Sequence, residues 1–331
     1  MSLPTSKSVA TLVAGHGVNS ETAVSARRKA FRALHEQGCF VIPNPWDVGS
    51  ARYLRHLGFP ALATTSAGFA FSQGLPDSGD GGVLARDRNI AYIASITAAV
   101  DLPVSADFMS GYGLEPEDVA ESVARCVPTG VAGLSIEDAT GDRMSPLYDL
   151  SEAVDRVQAA RQAIDQSGAD VLLTARAECY HVGHHDPLNE SIRRLQAYAE
   201  AGADVLFAPG PQGAAAITAL VEAVAPKPLN LLVVRDIGLS VEEIGELGVR
   251  RISIGGALAL AAWTGFMRAA QALRAKGSFD GLANLVPYAE INGLFAADFE
   301  RPGVDDECGR SESLDLDNVG DIADEGAGHR G

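Results

Sequence analysis

A chain of 331 residues, 47% apolar, with 26 basic against 43 acidic side chains, is long enough for one large domain or two ordinary ones. Its formal charge of −17 argues against nucleic acid or an anionic membrane as partner. No apolar run approaches the roughly 18 residues of a membrane span, no basic segment leads into an apolar one at the N-terminus, and the four cysteines (39, 126, 179 and 308) form no Cys-x-x-Cys pair. A cytoplasmic protein with reduced thiols is expected.

Residues 1–24 show little periodicity and are expected to be largely flexible, although residues 22–37 already carry an amphipathic helical pattern that stops at Gly38. Short apolar runs then recur near 39–43, 61–66, 104–108, 133–137, 171–176, 205–209, 229–234 and 250–255. Helical patterns fill most gaps: 48–57, 88–100, 115–127, 151–166, 187–201, 212–224, 240–247 and 257–275. Eight strands alternating with eight helices predict a (β/α)8 TIM barrel over residues 25–278. A doubly wound open sheet fits that length less well. A further apolar helical stretch at 281–295 lies outside the eight units, so residues 279–300 are expected to form an extra helix that covers a neighbouring subunit. Residues 301–331 are read as a disordered acidic tail: from 303 onward they hold nine acids against two arginines.

Three strand ends carry chemistry. The run 103–113 ends in Asp107 before turning at Gly111 and Gly113, the next reaches Glu137, and the third reaches Arg176 and Glu178. At the C-terminal rim of a parallel barrel, two carboxylates and a guanidinium suit a hard cation beside a small anion. Thr65, Ser66 and Ala67 end the second run and offer small residues with backbone N–H groups; Asp77 follows within reach of the same mouth. His181, His184 and His185 read better as loop or proton-handling residues than as a zinc site, because no clear fourth ligand completes a tetrahedron. A serine-nucleophile elbow and a phosphate-binding P-loop are both absent.

The motifs at Pro43–Ala51, Thr64–Gly68, Gly74–Asp77, Ala106–Gly113, Ile136–Asp138 and Ala175–Glu178 resemble, in order, the isocitrate lyase/phosphoenolpyruvate mutase superfamily. The resemblance implies a (β/α)8 barrel whose C-terminal helix is swapped between subunits of a homo-oligomer, usually a dimer of dimers. It implies Mg²⁺ and a small anionic oxo-acid substrate, and cleavage or formation of a C–C or P–C bond through an enolate. By position, Asp107 and Glu137 would hold the metal or its waters. Asp77 would orient a metal-bound water or the substrate, Thr65, Ser66 and Ala67 would bind the substrate carboxylate, and Arg176 would neutralise the oxo-acid end. Trp46 would wall the pocket. Asn230 completes the substrate-binding set, and Tyr112 stands with Asp77 and Arg176 as a catalytic candidate.

Two departures from the family pattern bear on chemistry. Met109 stands where the metal strand usually carries a second acid, and a thioether is a poor magnesium ligand. The loop 139–148 has no cysteine, so the usual lyase acid is absent, and Tyr112, Asp142, Arg143, Tyr148 and the histidines at 181–185 are candidates to replace it. A C–C lyase is the leading expectation. Phosphonopyruvate-type P–C chemistry and a barrel that binds an oxo acid without turnover are the alternatives.

Overall fold

The computed structural model describes residues 20–77, 84–211 and 213–299. Eight parallel strands occur: β1 Phe40–Ile42, β2 Leu62–Ala63, β3 Val104–Asp107, β4 Gly133–Glu137, β5 Leu172–Arg176, β6 Val205–Phe207, β7 Leu229–Leu232 and β8 Arg251–Ser253. They pair in the order β1-β8-β7-β6-β5-β4-β3-β2, a nearly closed barrel. At the seam between β1 and β2, the Ala63 N–H donates to Pro43 O at 3.0 Å. Buried Asn44 spans the same seam: its amide donates to Thr64 O (3.0 Å) and accepts from the Ile254 N–H (3.0 Å). This is a (β/α)8 barrel, as the alternation predicts.

The outer helices are α2 Val48–His56, α4 Arg86–Ala99, α5 Pro116–Cys126, α6 Leu150–Gln166, α7 Pro187–Glu200, α8 Ala214–Val224, α9 Val241–Glu246 and α10 Ala257–Lys276. Their local logic is ordinary. In α5, Pro116 opens the helix behind a Glu115/Asp118 capping box, and Val119, Ser122, Val123 and Cys126 form its buried stripe. A short helix, α3 (Ser66–Ser72), follows β2 where the sequence pattern predicts only a turn. Its Thr65 cap accepts the Gly68 N–H at 3.2 Å. A Cβ at Gly68 would meet Thr65 Cγ2 at 2.7 Å and Trp46 Cβ at 2.9 Å, so only glycine lets this helix lie so close.

Helix α1 (Glu21–Leu34) closes the N-terminal end of the barrel. It starts at Glu21, inside the stretch expected to be loose, because the Ser20 hydroxyl accepts the Ala23 N–H. Arg27 and Arg28 donate to the carbonyls of Val100, Val127 and Val131 in the loops that lead into the strands. Phe31 is fully buried among Phe40, Ala61, Leu172 and Val205 and plugs the barrel floor. Beside it, His35 Nδ1–H donates to Phe31 O at 2.8 Å, which leaves Nε2 to face Arg251 Nη1 at 3.4 Å.

The predicted stretch 281–295 instead becomes a short 3-10 turn at Asp280–Leu282 followed by α11 (Tyr288–Phe299). Pro287 lacks an amide donor and holds Val286 out of the helical region, so the helix begins behind it. Asp298 of α11 pairs with Arg52 (3.2 Å) and Arg55 of α2 in the same chain. The predicted acidic tail, residues 301–331, lies outside the described residues, as do residues 1–19. Among the described residues no helix is long and apolar enough to cross a membrane, and Cys39, Cys126 and Cys179 form no disulfide.

Burial, then the charge of Arg251, pushes the His35 imidazole down from 6.5 to about 3. The folded chain therefore keeps it neutral where the unfolded chain takes up a proton. Above its unfolded value the group contributes no slope. Below it stability is lost as pH falls, by up to about 1.4 kcal/mol per unit. Urea unfolding between pH 6.5 and 4.5 is expected to lose stability more steeply in the wild type than in His35→Gln, by about one proton's worth of slope. Equal slopes would show that His35 titrates freely.

Candidate active site

Two adjoining cavities open at the C-terminal end of the barrel, of about 220 Å³ and about 500 Å³. Ser66, Asp77, Arg176 and His181 line both. Asp107, the last residue of β3, faces the first, and Glu137, the last residue of β4, faces the second.

Asp107 is fixed from three sides. Its Oδ2 accepts the Ser66 N–H (2.9 Å) and the Ser66 hydroxyl (2.8 Å). Its own N–H donates to Thr64 Oγ1 at 2.9 Å. Ser66 is thus committed to the carboxylate, and of the expected carboxylate-binding residues it is the one whose donors are already in use.

Arg176 ends β5 in register with Glu137 on β4 and Phe207 on β6. Its Nη1 lies 3.1 Å from Glu137 Oε2 and 3.9 Å from Asp107 Oδ1, its Nε pairs with Glu178 Oε1, and its guanidinium carbon sits 5.1 Å from the centre of the Phe207 ring. Burial alone would favour a neutral guanidinium, but the charges of Glu178, Glu137 and Asp107 outweigh it and raise Arg176 above its ordinary value. Glu137 goes the other way for a carboxylate: burial lifts it well above the usual range, Arg176 offsets only part, and Glu178 and Asp107 add repulsion. For Glu178, burial is overcome by Arg176 and then by His181, and its carboxyl falls below the usual value.

Glu178 Oε2 lies 2.7 Å from His181 Nδ1. A buried carboxylate on Nδ1 fixes the ring and leaves Nε2 for other partners. His181 is half exposed at the mouth, whereas its carboxylate is 4% exposed. Asp77 is exposed overall, yet it stands over the mouth; partial desolvation, then the charge of Asp107, raises its carboxyl.

Two further residues hold this arrangement in place. Asp138, 2% exposed, accepts the Glu178 N–H (2.8 Å), the Tyr198 hydroxyl (2.6 Å) and Arg194 Nη1 (3.1 Å). Arg156, on the buried stripe of α6, donates to the carbonyls of Ser110, Gly113 and Leu114 at 2.8–3.0 Å. It thereby pins the loop after β3, where Met109 (φ 51°) and Tyr112 (φ 58°) hold left-handed backbone that costs strain in a non-glycine residue. An arginine on the core stripe of a helix is the sequence signal for Arg156. Nothing local in the sequence marks the partner of Asp138.

The predicted residues divide by location. Thr65, Ser66, Ala67, Asp77, Asp107 and Arg176 line the first cavity; Met109 and Glu137 line the second. Trp46 lines neither; it borders a separate cavity of about 260 Å³ with Ser72, Ala262, Trp263 and Phe266. Tyr112 turns into the protein with its ring edge-on to Phe108, and burial, then the charge of Asp107, raises its phenol. Asn230 also lines the first cavity, below the rim, donating to Ser253 Oγ (2.9 Å) and accepting from Arg251 Nε (2.8 Å). Tyr148 lies over Arg156, 4.2 Å from the guanidinium carbon to the ring centre. Among the candidates for the missing acid, His181, Asp142 and Arg143 line the second cavity. Asn44 and Arg251, which sequence reasoning passed over, also line the first.

The donor set bears on which cation fits. Neither Asp107 Oδ1 nor Glu137 Oε1 accepts a hydrogen bond from a described residue, and both carboxylates are hard oxygen donors beside open cavity. Among the described residues no three His, Cys, Asp or Glu side chains cluster closely enough to enclose a metal. Two carboxylates with room for water fit magnesium and do not fit a tetrahedral zinc site.

Comparison with known proteins agrees with this layout. The family model described as phosphoenolpyruvate phosphomutase matches residues 31–274. A crystal structure of a provisionally assigned lyase/mutase from Burkholderia cenocepacia J2315 is similar with a TM-score of 0.79 at 45% identity, over 85% of this chain and 99% of that one. The 2-methylisocitrate lyase of Escherichia coli K12 is 33% identical over 187 residues, 54% of this chain and 60% of that enzyme. An oxaloacetate acetylhydrolase in complex with its product oxalate is similar with a TM-score of 0.71 at 28% identity, over 82% of this chain and 94% of that one. Matched from the first strand to the eighth, the chain belongs to the phosphoenolpyruvate phosphomutase family, within the isocitrate lyase/phosphoenolpyruvate mutase superfamily.

Proposed function

We propose that this chain is a lyase-type enzyme that cleaves, or forms, a carbon–carbon bond next to the 2-oxo or enolate carboxylate of a small di-acid, with Mg²⁺ as cofactor. The observation that carries the reading is the convergence of Asp107, Glu137 and Arg176, from three consecutive strands, on cavities that share one wall. Similarity to a 2-methylisocitrate lyase and to an oxaloacetate acetylhydrolase that releases oxalate supports the same bond class.

Arg176 holds the oxo-acid end of the substrate, and its three carboxylate neighbours keep it protonated while the anion binds. Asp107 and Glu137 would hold magnesium, which when bound would supply positive charge to offset the negative charge that develops on the substrate. Asp77 orients the substrate or a water from the open side. His181, held at Nδ1 by Glu178, presents Nε2 to the mouth and handles the proton that the missing loop cysteine would otherwise supply. The match to the phosphomutase model favours a second reading, P–C bond mutase or hydrolase chemistry in the same cavities.

Calorimetry with oxalate, a mimic of the enolate, tests the site: binding is expected to require Mg²⁺ and to be lost in Asp107→Ala and Glu137→Ala. Turnover over a panel of 2-oxo and 2-hydroxy di-acids is expected to vanish in both and to fall about 10²–10⁴-fold in His181→Asn. Full activity in either alanine variant defeats the assignment.

Met109, on the wall beside Glu137, makes a second expectation. With a thioether in place of an acid, Mg²⁺ is expected to bind weakly alone and more tightly with oxalate, which supplies oxygen ligands and charge. Met109→Glu is expected to tighten Mg²⁺ in the absence of oxalate. Magnesium affinity indifferent to both oxalate and the substitution would place residue 109 outside the metal's surroundings.

The assembly belongs to the same reading. Leu260, Phe266, Met267 and Leu273 of α10 and Leu285, Tyr288 and Ile291 near α11 leave a broad apolar face exposed. We infer that a second copy of the chain covers it, in a dimer of dimers. Light scattering of a chain truncated after residue 278 is expected to give a smaller particle than the full chain; an unchanged mass would show that α11 serves only its own barrel.

A further inference from the structure

Below the rim the barrel axis holds a cavity whose wall mixes apolar side chains, Ile42, Phe207 and Leu232 among them, with polar ones. Barrel interiors of this type are usually filled by layers of branched apolar side chains. Here Ala63, Ser105, Ser135, Asn230 and Ser253, the layer beneath Arg176 and Asp107, leave the cavity of about 220 Å³ running down between them. At its foot is Arg251, 5% exposed, the first residue of β8.

The surroundings of Arg251 are unusual for a buried charge. Nε donates to Asn230 Oδ1 (2.8 Å), Nη2 to Thr174 Oγ1 (3.1 Å), and Nη1 faces His35 Nε2 (3.4 Å). All three acceptors are neutral, since His35 is held uncharged. They use three of the five N–H donors of a guanidinium. Burial alone lowers Arg251, to about 9, and among the described residues no acid pulls the other way. Arg194, by contrast, has Asp138 and Glu190, and Arg176 has three carboxylates. A buried cation with only neutral partners is costly unless an anion joins it.

Resting on the di-acid reading above, we propose that this well seats the distal carboxylate of the substrate. The di-acid stands along the barrel axis with its oxo-acid end at Arg176 and its second carboxylate against Arg251, flanked by the Ser135 and Ser253 hydroxyls. Thr174, which Arg251 touches, lies two residues below Arg176 on β5, a rise of about 6.6 Å. A four- or five-carbon di-acid spans that separation, and oxalate is too short to do so. Arg251 is then a specificity residue: it selects di-acids over mono-acids of equal length.

Two probes of the same length separate the cases: 2-oxoglutarate, and 2-oxopentanoate, whose far end is a methyl group. Calorimetry with the full chain and Mg²⁺ is expected to show the wild type preferring 2-oxoglutarate by about 30-fold or more. Arg251→Gln is expected to remove that preference while leaving oxalate and 2-oxopentanoate within about threefold of wild type. Ser135→Val narrows the well without touching Arg251, keeps the test open if Arg251→Gln does not fold, and is expected to lose 2-oxoglutarate but keep oxalate. Equal affinity of the wild type for the two oxo acids overturns the proposal, as does a loss in Arg251→Gln that is the same for both. Wild-type binding of inorganic phosphate that depends on Arg251, with no preference between the oxo acids, assigns the well to a free anion and also overturns it. Oxalate binding without di-acid preference defeats only the deep seat. Absence of oxalate binding defeats the rim assignment, and the comparison of the two oxo acids still decides the deep seat.

Discussion

The rim depends on one guanidinium. Arg176 is the positive charge that Glu137, Glu178 and Asp107 share, and all four side chains are at least four-fifths buried. Burying a lone carboxylate is costly, and three around one cation still leave net negative charge. The imbalance falls on Glu137, whose carboxyl is lifted well above its usual range, while Glu178, with both Arg176 and His181, is held low. A rim that is short of positive charge in the ligand-free chain is suited to a divalent cation, and the same guanidinium remains available to the anion that arrives with it.

That geometry is only as good as the chain that carries it. Strands fix Asp107, Glu137 and Arg176 through register: Glu137 lies opposite Arg176, and Arg176 opposite Phe207. Beyond the strand ends the scaffold must work harder. Arg156 satisfies three carbonyls of the loop after β3 at once, holding Met109 and Tyr112 in left-handed backbone. Asp138 does the corresponding task after β5 by taking the Glu178 N–H. Asp138 is a buried carboxylate with three donors, and Arg156 spends both of its terminal nitrogens on the loop carbonyls; buried polar groups partnered in this way order a structure.

The strand and helix pattern was legible because each buried stripe repeats locally. The eight apolar runs and the helices between them fall within a few residues of their observed limits, and the carboxylates at β3 and β4 announce themselves as polar ends of apolar strands. What the sequence hid is long-range. Helix α3 has seven small or apolar residues and no amphipathic stripe, so its cap at Thr65 could be seen only once Gly68 was packed on Trp46. The commitment of Ser66 to Asp107 joins residues 41 apart. Tyr112 was a reasonable acid by position, but the loop's left-handed turns rotate it inward. For α11, helical apolar spacing overran Pro287, whose missing donor sets the true start.

The two buried arginines on the barrel axis make one argument about function. Arg176 at the rim is oversupplied with carboxylates, whereas among the described residues Arg251 in the interior meets only Asn230, Thr174 and His35. If Arg251 were merely a structural plug, a neutral or apolar side chain would fill the floor beside Phe31 at lower desolvation cost. His35 reinforces the point, because its neutral tautomer, fixed by Phe31 O, gives Arg251 an acceptor without neutralising it. The floor therefore keeps a full positive charge at the foot of the cavity, directly below a rim built for a small anion. A ligand with a negative group at each end satisfies both arginines with one molecule, which a mono-acid of the same length cannot do.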